Sequence, residues 1–150
     1  MPVSLFGYIS FAAFCLLMIA GAVIDARERR FPNVLAFACA VSACCTVGSL
    51  DLRFLAARML YALALCVALL SFEVLWRRLK GAAGLGFGDI KAFFSLAVID
   101  PIIALISLCA ALMLLAVAGL LFHKPSLPLL PFLVPSFAII GDVHIWFVLV

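Results

Sequence analysis

The chain has 150 residues, of which 69% are hydrophobic and only 11% are charged, and its net charge is +3. A soluble domain is about half apolar and about a quarter charged, so this composition excludes a soluble fold and indicates an integral membrane protein. The apolar residues run continuously, whereas the strands of a membrane barrel alternate apolar with polar positions. The sequence therefore predicts an all-α membrane protein.

Six apolar stretches follow one another along the chain, with little sequence left for loops. We predict transmembrane helices at about 4–25, 32–49, 54–76, 88–100, 101–122 and 131–149. The fourth is short for a span, and only Asp100 and Pro101 separate it from the fifth, so five spans with one broken helix are the alternative. We expect a polytopic bundle of about six transmembrane helices, with residues 1–150 as a single transmembrane domain.

Basic residues are concentrated in the odd-numbered loops of this prediction. Those residues are Arg27, Arg29, Arg30, Arg77, Arg78, Lys80 and Lys124. Because Lys and Arg accumulate in short cytoplasmic loops, the first, third and fifth loops are expected to face the cytoplasm. Arg53 and Arg58 oppose the trend, but Arg58 lies far enough into its span to extend back to the interface. The positive charge therefore reports topology in a lipid bilayer, and no nucleic-acid partner is expected.

All six cysteines lie inside apolar stretches, and no two of them have CxxC spacing. Structural zinc sites and small disulfide frameworks need clustered cysteines in polar loops, so these cysteines are interpreted as small apolar residues. The two histidines have no partner at helical spacing. We expect no metal and no other cofactor.

Two carboxylates stand at the ends of apolar stretches, both on the predicted cytoplasmic side. Asp25 ends the first stretch in GAVIDARERRFPN, and Asp89 opens the fourth in GLGFGDIK, behind Gly84, Gly86 and Gly88. Singly, the first could balance nearby arginines and the second could cap a helix. A cap does not require three alternating glycines, which would let an extended substrate backbone approach the acid. As a pair, one acid could activate water while the other polarises a peptide carbonyl.

These motifs resemble those of the type IV prepilin peptidases. Four residues match the GxGD-K motif of that family: Gly86, Gly88, Asp89 and Lys91. Four more match its first aspartate motif: Asp25, Arg27, Pro32 and Asn33. A weaker match to its proline-rich segment comprises Pro128, Pro131, Phe132 and Leu133. The segment departs from the family pattern at Leu130, where that pattern has glycine.

The resemblance implies an intramembrane aspartyl endopeptidase, with Asp25 and Asp89 as its catalytic pair. It would remove the short basic leader of prepilin or pseudopilin subunits, cutting after a leader glycine at the cytoplasmic face of the inner membrane. Many longer members also methylate the new amino terminus and carry a zinc-binding cysteine loop after the first span. This chain has no such insertion, so it resembles the short form that accompanies tight-adherence pili and related secretion systems. We expect no methyltransferase activity, and an archaeal-type preflagellin peptidase is the alternative within the family.

The other motif residues are expected to bind or position the substrate. Lys91 lies about 200° around an ideal helix from Asp89, so we expect it to point away from the acid, toward head groups or a neighbouring span. Pro32 suits a first helical turn, and Asn33 can satisfy open backbone donors there. The same binding or positioning role is expected of three further residues: Arg27, Gly86 and Gly88.

The sequence is also compatible with a function from a different class. The chain could be a non-enzymatic small membrane subunit of a transporter or secretion complex, in which Asp25 and Asp89 carry ions or make helix contacts. Geometry separates the two functions, because only a protease must bring the carboxylates within about 7 Å. Asp142 falls near the mid-depth of the last predicted span, and Arg58 is its candidate partner.

Overall fold

The computed structural model describes residues 5–49, 51–81, 85–122 and 127–149, and their side chains up to Asp142. The described chain forms six helices: α1 Leu5–Glu28, α2 Asn33–Gly48, α3 Leu52–Lys80, α4 Phe87–Ile99, α5 Pro101–Phe122 and α6 Leu130–Leu149. The predicted all-α bundle is confirmed. Two residues used in the sequence-based predictions, Gly84 and Lys124, lie outside the described residues.

Three of these helices, α1, α3 and α5, are long and apolar enough to cross a membrane. In contrast, α4 has 13 residues and is about 20 Å long, less than the roughly 30 Å of a bilayer core. It lies inside the bundle, where it packs against α2, α3, α5 and α6. Its buried residues include Phe93, Leu96 and Val98. The central helix is therefore also the shortest, and Asp89 stands on its first turn.

The chain breaks between α4 and α5 at Asp100, which has an extended backbone with φ −153° and ψ 112°. Its Oδ1 accepts the backbone N–H groups of Ile102 and Ile103, each at 3.0 Å, and so caps α5. After α5, the chain returns to the side of Asp25, because the Leu130 backbone contacts that carboxylate. Helices α4 and α5 thus run in opposite directions, so they are two separate helices and not one broken helix.

Asp100 also provides the partner of Arg58. Its Oδ2 lies 3.7 Å from Nη2 of the arginine. The predicted pairing of Arg58 with Asp142 is therefore wrong. Asp142 is exposed on α6 and lines a separate, mainly apolar cavity between α1 and α6. The partner of Arg58 is instead Asp100, the residue that caps α5. No helical periodicity in the sequence connects Asp100 with Arg58.

The connection between α1 and α2 folds back onto the bundle through Phe31, which is 8% exposed. A Cβ atom at Gly21 would overlap ring atom Cε2 of Phe31, and a Cβ at Gly88 would lie 3.0 Å from the Phe31 Cβ. The glycines leave the space that the aromatic residue fills between α1 and α4. Phe31 thus packs between α1 and the start of α4.

We predict that Gly21→Ala lowers the stability of the protein by about 1–3 kcal/mol, since the new methyl group forces the Phe31 ring to shift. The matched control is Gly141→Ala, because a Cβ there meets nothing within 4 Å among the described atoms. The control should be neutral or slightly stabilising, given the helix propensity of alanine. Thermal unfolding of the purified variants in detergent measures the difference. A Gly21→Ala variant as stable as the control would contradict the packing argument.

Candidate active site

Asp25 and Asp89 lie at the same end of the bundle, one near the end of α1 and the other in the first turn of α4. Both line a single cleft of about 510 Å³, and their charges interact with each other. The cleft is bounded by the α1–α2 connection and the start of α4. Its lining residues are Asp25, Glu28, Arg29, Arg30, Phe31, Pro32, Asn33, Gly86, Phe87, Gly88, Asp89 and Lys91. Two motifs far apart in sequence therefore form one site.

The Asp89 side chain is held by the turn that begins α4. Gly86 is the N-cap residue of this helix, and its backbone N–H donates to Oδ2 of Asp89 at 3.2 Å. A Cβ at Gly86 would lie only 3.0 Å from the same oxygen. The glycine thus gives the carboxylate room to fold back onto its own turn, as in one half of a capping box.

The spaces beside the two motif glycines are occupied by the protein's own atoms. Asp89 fills the space beside Gly86, and Phe31 fills the space beside Gly88. Both glycines nevertheless line the cleft. Their first role is therefore internal packing, and close approach of a substrate backbone stays a prediction.

Asp25 is 7% exposed and lies three residues before the end of α1. Its carboxylate accepts a hydrogen bond from the backbone N–H of Leu130, the first residue of α6. Its Oδ2 is buried and has no hydrogen-bond partner among the described residues. Leaving a buried carboxylate oxygen without a partner is costly, so this atom is unusual in a folded protein.

The structure explains why leucine is tolerated at position 130, where the family's proline-rich pattern has glycine. The Leu130 side chain is fully buried, and the contact of Leu130 with Asp25 is made by the backbone. Leucine supplies this N–H as well as glycine does. The following Pro131 lies in the first turn of α6, where the missing N–H would be unpaired in any case.

Lys91 extends from α4 to the start of α2, where its Nζ donates to Oδ1 of Asn33 at 2.7 Å. The expectation that it reaches a neighbouring helix is confirmed, but the expectation that it points away from the acid is wrong, because Lys91 and Asp89 line the same cleft. The expectation that Asn33 satisfies backbone donors of α2 is wrong, because its amide oxygen accepts from Lys91. Pro32 is the N-cap residue of α2 and makes no side-chain cap. The lysine and the asparagine together connect two helices beside Asp89.

The residues that line the cleft differ in part from the set expected from the sequence. Arg27 is exposed and does not line the cleft, whereas Phe31 and Phe87 do. The neighbours Glu28, Arg29 and Arg30 also line the cleft. Both aromatic residues are adjacent to motif residues, in RFPN and GFGD, and this adjacency could have predicted that they line the cleft. The contact between Leu130 and Asp25 could not be predicted, because it is made by a backbone N–H, which every residue except proline has.

A sequence model of the type IV leader peptidase family matches residues 12–143, which include both aspartate motifs. The chain belongs to the type IV leader peptidase family. Comparisons with curated proteins and with solved structures found no match. As a member of the leader peptidase family, the protein is a membrane-embedded peptidase with a protein substrate. Within the described residues no group of three or more His, Cys, Asp or Glu side chains could hold a metal ion, and a metal-free enzyme stays a prediction.

We predict that Lys91→Met and Asn33→Ala each lower the peptidase activity of this leader peptidase by about three- to tenfold, because their shared hydrogen bond is exposed to solvent and should contribute about as much as an ordinary neutral one. The double variant should be as active as the less active of the two single variants, because both changes remove the same bond. Cleavage rates of the four proteins form the double-mutant cycle. Losses that multiply in the double variant would show that the two side chains act separately.

Proposed function

We propose that this leader peptidase is an aspartic endopeptidase with Asp25 and Asp89 as its catalytic pair. The observation that carries the proposal is that these carboxylates, from separate helices, line one cleft and interact electrostatically. Acids that only carry ions or support helix contacts would have no need to meet in an open cleft. The geometry therefore favours a protease over a non-enzymatic membrane subunit.

The proposed chemistry is general acid–base hydrolysis of a peptide bond. One carboxylate, ionised, takes a proton from water while the other, protonated, donates a hydrogen bond to the scissile carbonyl oxygen. The water oxygen attacks the carbonyl carbon, and the C–N bond breaks as a proton passes to the leaving amine. The unpaired Oδ2 of Asp25 supports this scheme, since a proton or water shared with Asp89 would supply its missing partner.

We propose that the cleft faces the cytoplasm from the inner membrane. It lies at the end of the bundle where α1 and α3 finish and α2 and α4 begin. Seven basic residues of the described chain lie at this end: Arg27, Arg29, Arg30, Arg77, Arg78, Lys80 and Lys91. At the opposite end the described chain has Arg53 and Arg58, and Arg58 is paired with Asp100. This asymmetry is the pattern that places an end in the cytoplasm.

The proposed substrates are prepilin or pseudopilin subunits, from which the enzyme removes a short basic leader. Glu28 is an exposed acid that lines the same cleft as Asp25 and Asp89. It offers a partner for a basic side chain of the leader at the outer edge of the site.

The α1–α2 connection is only residues 29–32, which leaves no zinc-binding insertion there. We therefore propose a peptidase without methyltransferase activity.

Asp25→Asn and Asp89→Asn are each predicted to abolish leader removal, with a loss of about a hundredfold to ten-thousandfold. Asn keeps the size of the side chain but can neither ionise nor donate a carboxylic proton. Co-expression with a candidate prepilin, read as a mobility shift on a gel, measures processing.

The matched control for these variants is Asp100→Asn, at the opposite end of the bundle. Asn can still cap α5, so processing should stay near the level of the unmodified enzyme. All three variants should accumulate in the membrane in similar amounts. Leader removal that persists in either Asp25→Asn or Asp89→Asn would refute the assignment of the pair.

We also predict that leader removal continues in the presence of a metal chelator, and that the product is not methylated. The cysteines have no zinc-ligand spacing, and the short connections give no site for a methyl donor. The measurement is transfer of label from methyl-labelled S-adenosylmethionine to processed pilin by the purified enzyme. Labelled product, or proteolysis that stops when the chelator is added, is the contradicting result.

A further inference from the structure

Glu73 is a charged residue buried inside the bundle, with 1% of its surface exposed. It lies on α3, seven residues before that helix ends at Lys80, and outside every motif described above. A buried carboxylate is costly unless hydrogen-bond donors surround it, and an apolar residue of similar size would avoid the cost. The acid at this position therefore needs a specific reason.

Both oxygens of Glu73 accept hydrogen bonds. Oε2 accepts the backbone N–H of Leu85 at 2.6 Å, and Oε1 accepts Nε of Arg77, one helical turn later, at 2.5 Å. The Arg77 guanidinium in turn lies over the ring of Phe87, 5.0 Å from its centroid. The acid and the arginine thus hold the residues on both sides of Gly86.

Gly86 is the residue whose backbone N–H donates to the carboxylate of Asp89. A turn built around glycines has more backbone freedom than other sequences, so it needs support from outside to keep one geometry. Glu73 supplies that support one residue before Gly86, and the arginine–aromatic contact supplies it one residue after. We propose that Glu73 is a positioning residue that acts through Leu85 and Arg77 to orient Asp89, an inference that rests on the proposed function.

The first experiment compares the kinetics of Glu73→Gln with those of the unmodified enzyme. Gln keeps the shape of the side chain but turns an N–H₂ group toward one of the two donors. We expect kcat to fall by about ten- to a hundredfold, because small displacements of a reacting group have effects of this size, while KM changes by less than about threefold. Rates are normalised to folded protein by size-exclusion chromatography, so that lost protein is not counted as lost catalysis.

The second variant is Arg77→Met, which leaves the Leu85 bond in place and should lower kcat less than Glu73→Gln does. Its matched control is Arg78→Met. Arg78 lies on another face of α3, where it lines a shallow pocket with Ser71, and the control should keep its kcat. If Glu73→Gln does not accumulate as folded protein, a normal kcat and normal exchange in Arg77→Met overturn the proposal.

Hydrogen–deuterium exchange tests the same inference without any substrate. In Glu73→Gln, exchange in the peptide covering residues 85–90 should accelerate at least tenfold, whereas Arg78→Met should match the unmodified protein. If the unmodified enzyme cleaves no prepilin, the proposed function fails, and exchange alone then decides whether Glu73 holds the turn. Unchanged exchange, an unchanged kcat, or a loss confined to KM in Glu73→Gln overturns the positioning role.

Discussion

Helix α4 is too short to cross a bilayer by itself, yet it lies in the middle of the bundle. Its first turn lies beside the cleft, where Gly86 is exposed and Asp89 is half-buried, and the open backbone N–H groups of this helix start need hydrogen-bond partners. Several contacts that hold this turn come from the protein itself. Gly86 bonds to Asp89, Gly88 packs against Phe31, and Leu85 bonds to Glu73. The site depends on how this one helix begins.

The two acids of the cleft are held mainly by backbone groups. Asp89 accepts from Gly86 at the start of α4, and Asp25 accepts from Leu130 at the start of α6. A backbone donor fixes a carboxylate regardless of the side chain that the donor residue carries. This accounts for a leucine at a position where the family pattern has glycine. The side-chain contact of Lys91 is instead made across the cleft, to a different helix.

Much of this arrangement follows from local sequence, and the remainder depends on tertiary packing. Long apolar stretches predicted the six helices, and carboxylates at their ends predicted which residues share a cleft, because both effects act over a few neighbouring residues. The partners of Asn33, Arg58 and Glu73 come from other helices or from a turn, at distances in sequence that no helical period connects. The i,i+4 spacing of Glu73 and Arg77 was the one available local signal. It predicts an ion pair but not the Leu85 bond.

Helix starts in this bundle repeatedly use an acid as an acceptor for open backbone N–H groups. Outside the cleft, Asp51 accepts such a bond at the start of α3 and Asp100 at the start of α5. Glu73 accepts the backbone N–H of Leu85, just before α4 begins. Asp25 and Asp89 follow the same rule at α6 and α4. A bond to a helix start therefore does not distinguish the proposed catalytic acids from structural ones. Their difference is that they meet in one cleft, where the buried Oδ2 of Asp25 has no partner in the described chain.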